Sequence, residues 1–118
     1  MVGSDGLMSN GQGHPRAAGS FPRFWAEFVR KGTISPYEAV EKITAAAAER
    51  LHLTNKGRLN VGADADITIF DPEKIQDKAT FDKPNLAPEG IEYVLIGGEI
   101  ALEKGEILKN SCGKSVRM

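Results

Sequence analysis

The sequence is poor in cysteine and has no long apolar run. Cys112 is the only cysteine in 118 residues. A single thiol excludes an internal disulfide framework and agrees with a reducing compartment. No apolar run approaches the roughly 20 residues that a membrane helix needs, and the N-terminus lacks the charged head and apolar core of a signal peptide. We therefore expect a soluble, cytoplasmic protein with no membrane partner.

An excess of charge of one sign is also missing. Fifteen basic residues face sixteen acidic ones, for a net charge of -1. No broad basic field is present, so we expect no nucleic-acid partner. The composition, 41% hydrophobic and 26% charged, is that of an ordinary globular chain long enough for one modest domain.

The N-terminal half has loop composition followed by helical patterns. Residues 1–20 are rich in glycine. From Phe21 the apolar spacing predicts a helix, with Pro22 in its first turn and Gly32 at its end. Ser35 begins a capping-box pattern that predicts a second helix with a break near Thr44. The first helix would present one apolar face formed by Phe24, Trp25, Phe28 and Val29.

The second half has strand patterns. Its organising stretch is Gly57–Pro72, in which turn glycines and aspartates lead into a short β-branched run closed by Asp71-Pro72. Gly97-Gly98 between two strand-forming runs is typical of a β-hairpin with a two-residue turn. We expect an α+β fold, with short helices followed by a small antiparallel β-sheet. The predicted strands are Gly57–Leu59, Ile67–Phe70, Ile91–Ile96, Glu99–Glu103 and Ile107–Leu108.

Few side chains could carry chemistry. Asp64 and Asp66 could form a cation site, but hard cations gather more oxygen ligands than two, so we favour carboxylates that satisfy turn amides. His52 lies near the C-terminal end of a predicted helix, where the helix dipole stabilises a positive charge, so we favour a structural role for it. Cys112 has no neighbouring histidine that would activate the thiol, so we expect no nucleophilic role for it. The full set of candidates is Asp5, His14, His52, Asp64, Asp66, Asp71 and Cys112.

Asp5 differs from the other carboxylates because glycines surround it in a loop that leads to His14, Pro15 and Arg16. This layout is typical of an active-site mouth at the C-terminal end of a barrel strand. From the residues alone, we favour a solvated turn aspartate over a catalyst, and a surface charge for Arg16.

The order of several motifs resembles the C-terminal third of the N-acyl-D-amino-acid deacylases (D-aminoacylases) of the amidohydrolase superfamily. The resemblance spans nearly the whole chain. The His-Pro-Arg and Pro-Glu-Gly-Ile-Glu-Tyr-Val motifs point to the deacylase branch. The matching segments are Gly3–Gly6, His14–Arg16, Gly19–Arg23, Gly62–Ile67, Phe70–Pro72, Ala79–Phe81, Pro88–Val94 and Gly97-Gly98.

The resemblance implies a zinc-dependent hydrolase that cleaves the amide of an N-acyl-D-amino acid. Its fold would be a (β/α)₈ barrel with a small β-domain. Asp5 matches the aspartate that ligates zinc and acts as the catalytic base, and Arg16 matches the arginine that binds the substrate's α-carboxylate. His14 would shape the loop. Residues 1–52 would be a remnant of the last barrel strand, active-site loop and helices, and residues 53–118 the C-terminal part of the β-domain.

The departure from the family lies in the zinc ligands of the earlier barrel strands, which have no counterpart here. A catalytic zinc site needs about three protein ligands. This chain offers one credible ligand, Asp5, with His14 a distant second. We therefore expect a C-terminal fragment that neither binds zinc nor hydrolyses substrate by itself. The alternatives are a non-catalytic oligomeric β-module that binds a protein partner, and a chain that pairs with a separately encoded barrel.

Truncation has a physical consequence for the Phe24, Trp25, Phe28 and Val29 face, which would pack on the missing barrel. Exposure of such side chains forfeits roughly 1.5–3 kcal/mol each. We expect the chain to cover this face by forming a homo-oligomer, by binding the missing barrel, or by refolding its N-terminal half.

Overall fold

A computed structural model describes residues 1–116, which form an α+β fold with short helices before a small antiparallel sheet. This confirms the fold class predicted from the sequence. The N-terminal half contains β1 (Met8–Ser9), β2 (Gln12–Gly13), α1 (Arg16–Phe24), a π-helical segment (Trp25–Val29), α2 (Pro36–Ile43) and α3 (Ala45–Arg50). The second half contains β3 (Ile67–Phe70), β4 (Ile91–Ile96), β5 (Glu99–Glu103) and β6 (Glu106–Ile107).

Helix α1 begins at Arg16, five residues before the predicted start at Phe21. Pro15 occupies the N-cap, so the predicted place of Pro22 in the first turn is wrong: Pro22 lies inside the helix. A proline there offers no N–H to the preceding turn. The backbone then widens into the π-helical segment, where the Arg30 N–H donates to the Trp25 carbonyl at 3.1 Å. Gly32, with φ +75°, follows the helix as predicted.

The start of α2 confirms half of the predicted capping box. The Ser35 hydroxyl accepts the Glu38 N–H at 3.1 Å. The Glu38 carboxylate pairs instead with Lys42 at 3.3 Å. Thr44, with φ -129° and ψ -91°, separates α2 from α3 and confirms the predicted break.

The main sheet has four antiparallel strands in the order β3-β4-β5-β6. Strands β4 and β5 form the predicted hairpin, with Gly97 and Gly98 at φ +58° and +83°. Two successive positive φ values are what a tight hairpin turn requires. The last turn repeats this arrangement at Lys104 and Gly105, with φ +46° and +88°.

The predicted strand at Gly57–Leu59 is wrong. Gly57 has φ +73°, which an extended strand does not use. A Cβ at Gly57 would lie 2.9 Å from the Thr44 backbone and from the Ala48 side chain. The glycine therefore serves a close approach of the loop to the helices, which its sequence neighbours do not reveal.

The core joins the two halves of the chain around Trp25. Buried Trp25 and Val29 pack with Ala39 and Ile75, and Phe70 closes the cluster. The Trp25 and Phe70 rings meet edge to face at 4.8 Å, and the indole N–H donates to the Pro72 carbonyl at 3.2 Å. The expectation that this face lacks a partner within the chain is therefore wrong for Trp25 and Val29, because the turn after β3 folds back over them.

The other end of the same face remains partly open, since 47% of Phe28 is exposed. Self-association through Phe28 stays a prediction, as does the domain division after residue 52. Within residues 1–116, no helix combines the length and the apolar character needed to cross a membrane.

Candidate functional site

The structure brings the two sequence-predicted site residues, Asp5 and Arg16, into contact. Arg16 Nη2 lies 3.0 Å from Asp5 Oδ2. Asp5 adopts a left-handed backbone with φ +47°, a conformation that aspartate tolerates better than most residues. Next to it, a Cβ on Gly6 would lie 2.4 Å from the Ala17 Cα, so the loop rests directly on the start of α1. This close approach is what delivers the Asp5 carboxylate to the first residue of the helix.

Both side chains of the pair are accessible. The Asp5 side chain is 90% exposed and the Arg16 side chain 45%. An exposed ion pair of this kind stabilises a fold little, about 0–1 kcal/mol. The pair therefore contributes accessible chemistry rather than stability: a carboxylate that can ligate or accept a proton, and a guanidinium that binds carboxylates.

His14 is fixed in the loop between these residues. Its Nδ1 accepts the Arg16 backbone N–H at 3.1 Å. Its ring meets Phe81 edge to face, with ring centroids 5.1 Å apart. This hydrogen bond ties His14 to the start of α1. Because Nδ1 accepts the backbone N–H, that nitrogen is not available as a metal ligand.

A groove of about 400 Å³ runs beside Arg16 between α1 and the connection from β3 to β4. Arg23 lines it and binds Asp77 through Nε at 2.9 Å and Nη2 at 2.7 Å. The Asp77 side chain is only 4% exposed. Sequence reasoning gave this pair no role. The partners lie 54 residues apart, so no local pattern joins them. Arg23 lies in the matching segment Gly19–Arg23, whereas Asp77 lies in none.

The described residues do not complete a metal site. Among residues 1–116, no group of three or more His, Cys, Asp or Glu side chains is placed to hold an ion. A catalytic zinc needs about three protein ligands and an open position. Asp5 offers suitable carboxylate oxygens, so it fits the role of one ligand, but its neighbour in the structure is Arg16 rather than a second ligand.

Asp64 and Asp66 tie the start of β3 to other parts of the chain. Lys56 Nζ pairs with Asp64 at 2.9 Å and also with Asp66. Asp66 Oδ1 accepts the Gly97 N–H at 2.8 Å. The Lys56 ammonium and then the Gly97 N–H lower the pKa of Asp66. The Asp66 carboxylate and then the Asp64 carboxylate raise the pKa of Lys56. Asp66 therefore satisfies a turn amide as predicted, and the positive charge that both carboxylates contact is the Lys56 ammonium.

The remaining candidates also have structural surroundings. Asp71 Oδ1 accepts the Glu73 N–H at 2.9 Å, and this bond, followed by the contact with Lys74, lowers the pKa of Asp71. His52 follows α3 with φ +57°. Cys112 is a free, half-buried thiol.

Comparison with known proteins decides the family. The amidohydrolase family profile matches residues 1–102. The chain belongs to the amidohydrolase family. This amidohydrolase chain is 48% identical over 99 residues to an N-acyl-D-glutamate deacylase of Alcaligenes xylosoxydans xylosoxydans, a match that covers 83% of this chain and 20% of that protein.

Solved structures show the same similarity for this amidohydrolase. A crystal structure of D-aminoacylase matches 93% of this chain and 23% of its own, with 33% identity and a TM-score of 0.86. The N-acyl-D-glutamate deacylase of Bordetella bronchiseptica, solved with zinc and a phosphonate inhibitor, matches 93% of this chain and 25% of its own, with 37% identity and a TM-score of 0.81. The chain thus spans about a fifth to a quarter of the length of these relatives.

Proposed function

We propose that this chain supplies part of the active site of a zinc-dependent deacylase that hydrolyses N-acyl-D-amino acids. The observation that carries the proposal is the contact of Asp5 with Arg16 at 3.0 Å, which unites an accessible carboxylate and an accessible guanidinium at one loop. The relatives named N-acyl-D-glutamate deacylase and D-aminoacylase support the substrate class.

Asp5 is proposed as one zinc ligand and as the base that accepts a proton from the attacking water. A bound zinc ion supplies a water whose pKa falls to about 7. A carboxylate held beside that water can take up its proton at Oδ during attack on the amide carbonyl. The Asp5 side chain is 90% exposed, so its carboxylate is accessible for these contacts.

Arg16 is proposed to bind the α-carboxylate of the substrate. A guanidinium presents parallel N–H donors that match a carboxylate. The position of Nη2, 3.0 Å from the Oδ2 atom of the Asp5 carboxylate, supports this proposal. In the assembled site, Asp5 would turn to the metal and the substrate would take its place on Arg16.

The architecture follows from the same proposal. Residues 1–52 would be the last strand, active-site loop and helices of a (β/α)₈ barrel, and residues 53–118 part of a small β-domain. The other zinc ligands would come from polypeptide outside these 118 residues, since the described residues provide no ligand cluster. The chain alone would then be inactive.

A hybrid enzyme tests this function. The matched 99 residues of the Alcaligenes N-acyl-D-glutamate deacylase are replaced by those of this chain, and hydrolysis of N-acetyl-D-glutamate is measured with zinc present. We expect activity that Asp5→Ala lowers by about 10²–10⁴-fold, the usual contribution of a general base. Arg16→Ala should raise KM by about 10-fold or more, the loss of a charge-assisted hydrogen bond.

Asp82→Ala is the matched control, because Asp82 is an exposed aspartate in this chain. It should leave the kinetics of the hybrid unchanged. A hybrid in which Asp5→Ala and Asp82→Ala are equally active would refute the proposed role of Asp5.

A second candidate, an oligomeric β-module that binds a protein partner, draws on the exposed aromatic side chains of the helices. Phe28 is 47% exposed and Tyr37 82%. Sedimentation velocity of the chain tests self-association. Concentration-dependent dimers that Phe28→Ser abolishes support it, and a monomer over the whole concentration range removes homo-oligomerisation through this face.

A further inference from the structure

The connection between β3 and β4 packs against α1, the helix that carries Arg16. We call residues 77–81 of this connection the clamp segment. Its first residue, Asp77, is almost fully buried and binds Arg23 of α1 through Oδ2, while Oδ1 accepts the Ala79 N–H at 2.8 Å. One carboxylate therefore fixes both the helix and the turn of the clamp segment.

The contact is close enough to exclude even a methyl group. A Cβ on Gly19 would lie 2.2 Å from Asp77 Oδ1 and 2.4 Å from its Cγ. Gly19 is one turn along α1 from Arg16. A side chain at position 19 would therefore displace the Asp77 carboxylate, which Arg23 and the Ala79 N–H hold in place.

The other end of the clamp segment reaches the loop before the helix. Phe81 packs edge to face on His14, whose Nδ1 accepts the backbone N–H of Arg16. Phe81 is otherwise open to solvent, with 76% of its surface exposed. Because the Phe81 ring is largely exposed, it contributes little to the core. Its contact with His14 can instead fix the orientation of the imidazole ring.

We propose that the clamp segment is a positioning element that fixes Arg16 for carboxylate binding, with Phe81 acting through His14 and Asp77 through Arg23. The inference rests on the proposed role of Arg16. The groove between the clamp segment and α1, about 400 Å³ in volume, is the space that a small carboxylate-bearing ligand on Arg16 would occupy. Phe81 and Ala79 give it an apolar wall.

The first experiment uses the chain itself and needs no activity. Nitrogen-15 NMR at a pH where imidazole is neutral reports the tautomer of His14, and hydrogen exchange reports the Arg16 amide. We expect Nδ1 to be the unprotonated nitrogen. Phe81→Ala should give a mixture of tautomers and roughly tenfold faster exchange at Arg16, the effect of losing an ordinary hydrogen bond.

Conservative and control variants separate positioning from stability. Phe81→Tyr retains the ring and should restore both readouts, and Asp82→Asn, next to Phe81, should leave them unchanged. Because Phe81 is largely exposed, the variants should keep the far-UV circular dichroism of the parent chain. Phe81→Ala with an unaltered tautomer and unaltered exchange would overturn the proposal.

The second experiment uses the hybrid deacylase with N-acetyl-D-glutamate. Phe81→Ala and Asp77→Asn should each raise KM by about tenfold with kcat within about twofold, since the loss falls on ground-state binding. A fall in kcat at constant KM would contradict positioning of Arg16. An inactive hybrid would count against the proposed function, whereas the NMR result would still decide whether the clamp segment fixes His14 and Arg16.

Discussion

Two substitutions of Asp66 should separate the contribution of its charge to stability from the contribution of its hydrogen bond. Asp66→Ala removes both the acceptor for the Gly97 N–H, at 2.8 Å, and the ion pair with Lys56. Asp66→Asn keeps an oxygen that can accept the Gly97 N–H and loses only the charge. Lys56 retains Asp64 at 2.9 Å in both variants. The alanine variant should therefore be the less stable of the two.

The size of the effect follows from the exposure of the carboxylate. Hydrogen bonds to charged groups contribute about 1.5–3 kcal/mol. The Asp66 side chain is 37% exposed, so water and salt screen part of this contribution. We expect Asp66→Ala to lower the free energy of unfolding by about 1–2 kcal/mol and Asp66→Asn by about half as much. The alanine variant should melt roughly 4–8 °C lower.

The dependence on pH has a definite sign. Lys56 and the Gly97 N–H lower the pKa of Asp66 in the folded chain below its ordinary value of 3.8. A lowered pKa gives stabilisation that is present above the ordinary value and is lost as pH falls through the folded one. The difference in stability between the parent chain and Asp66→Ala should therefore be full near neutral pH and shrink in acid.

Urea unfolding followed by the fluorescence of Trp25 measures these differences, because Trp25 is the only tryptophan and is buried. Asp82→Ala serves as the control and should change stability by less than about 0.5 kcal/mol. The reasoning is refuted if Asp66→Ala is no less stable than Asp66→Asn, or if its deficit is the same at every pH.

Other variants test the core, the helix start and the clamp. Trp25→Ala should cost about 3–5 kcal/mol through cavity formation and leave the chain largely unfolded by circular dichroism; a cooperative melt near that of the parent would contradict the packing on Phe70. Ser35→Ala should cost about 1 kcal/mol in urea titrations, whereas Ser35→Asp should cost little, because aspartate also caps helices. Gly19→Ala should destabilise the chain by about 1–3 kcal/mol, and Asp77→Ala in the same chain should relieve part of the clash, so additive effects would argue against the close approach.

Local patterns predicted those parts of the fold that local physics decides. Gly97-Gly98 specified the hairpin because a tight turn needs positive φ at both positions. Ser35 specified the start of α2 through a bond to the residue three positions on. The predicted strand at Gly57 is wrong because the conformation of Gly57 is set by its contacts with Thr44 and Ala48, which are not its sequence neighbours.

In the candidate site as well, the sequence indicated individual residues but not the contacts between distant parts of the chain. The resemblance pointed to Asp5 and Arg16, and the structure shows that the two side chains meet. Arg23 and Asp77 could not be paired from the sequence, because neither alone differs from a surface charge and 54 residues separate them. The burial of Trp25 also depends on a distant segment, the turn that follows Phe70.

The central claim is that this chain contributes one ligand to a zinc site completed elsewhere. The most direct measurement is the zinc content of the purified chain after equilibrium dialysis against micromolar zinc. The account predicts no stoichiometric zinc, and no change on Asp5→Ala. One tightly held zinc per chain, lost on Asp5→Ala, would show that these residues complete a metal site by themselves and would contradict the account.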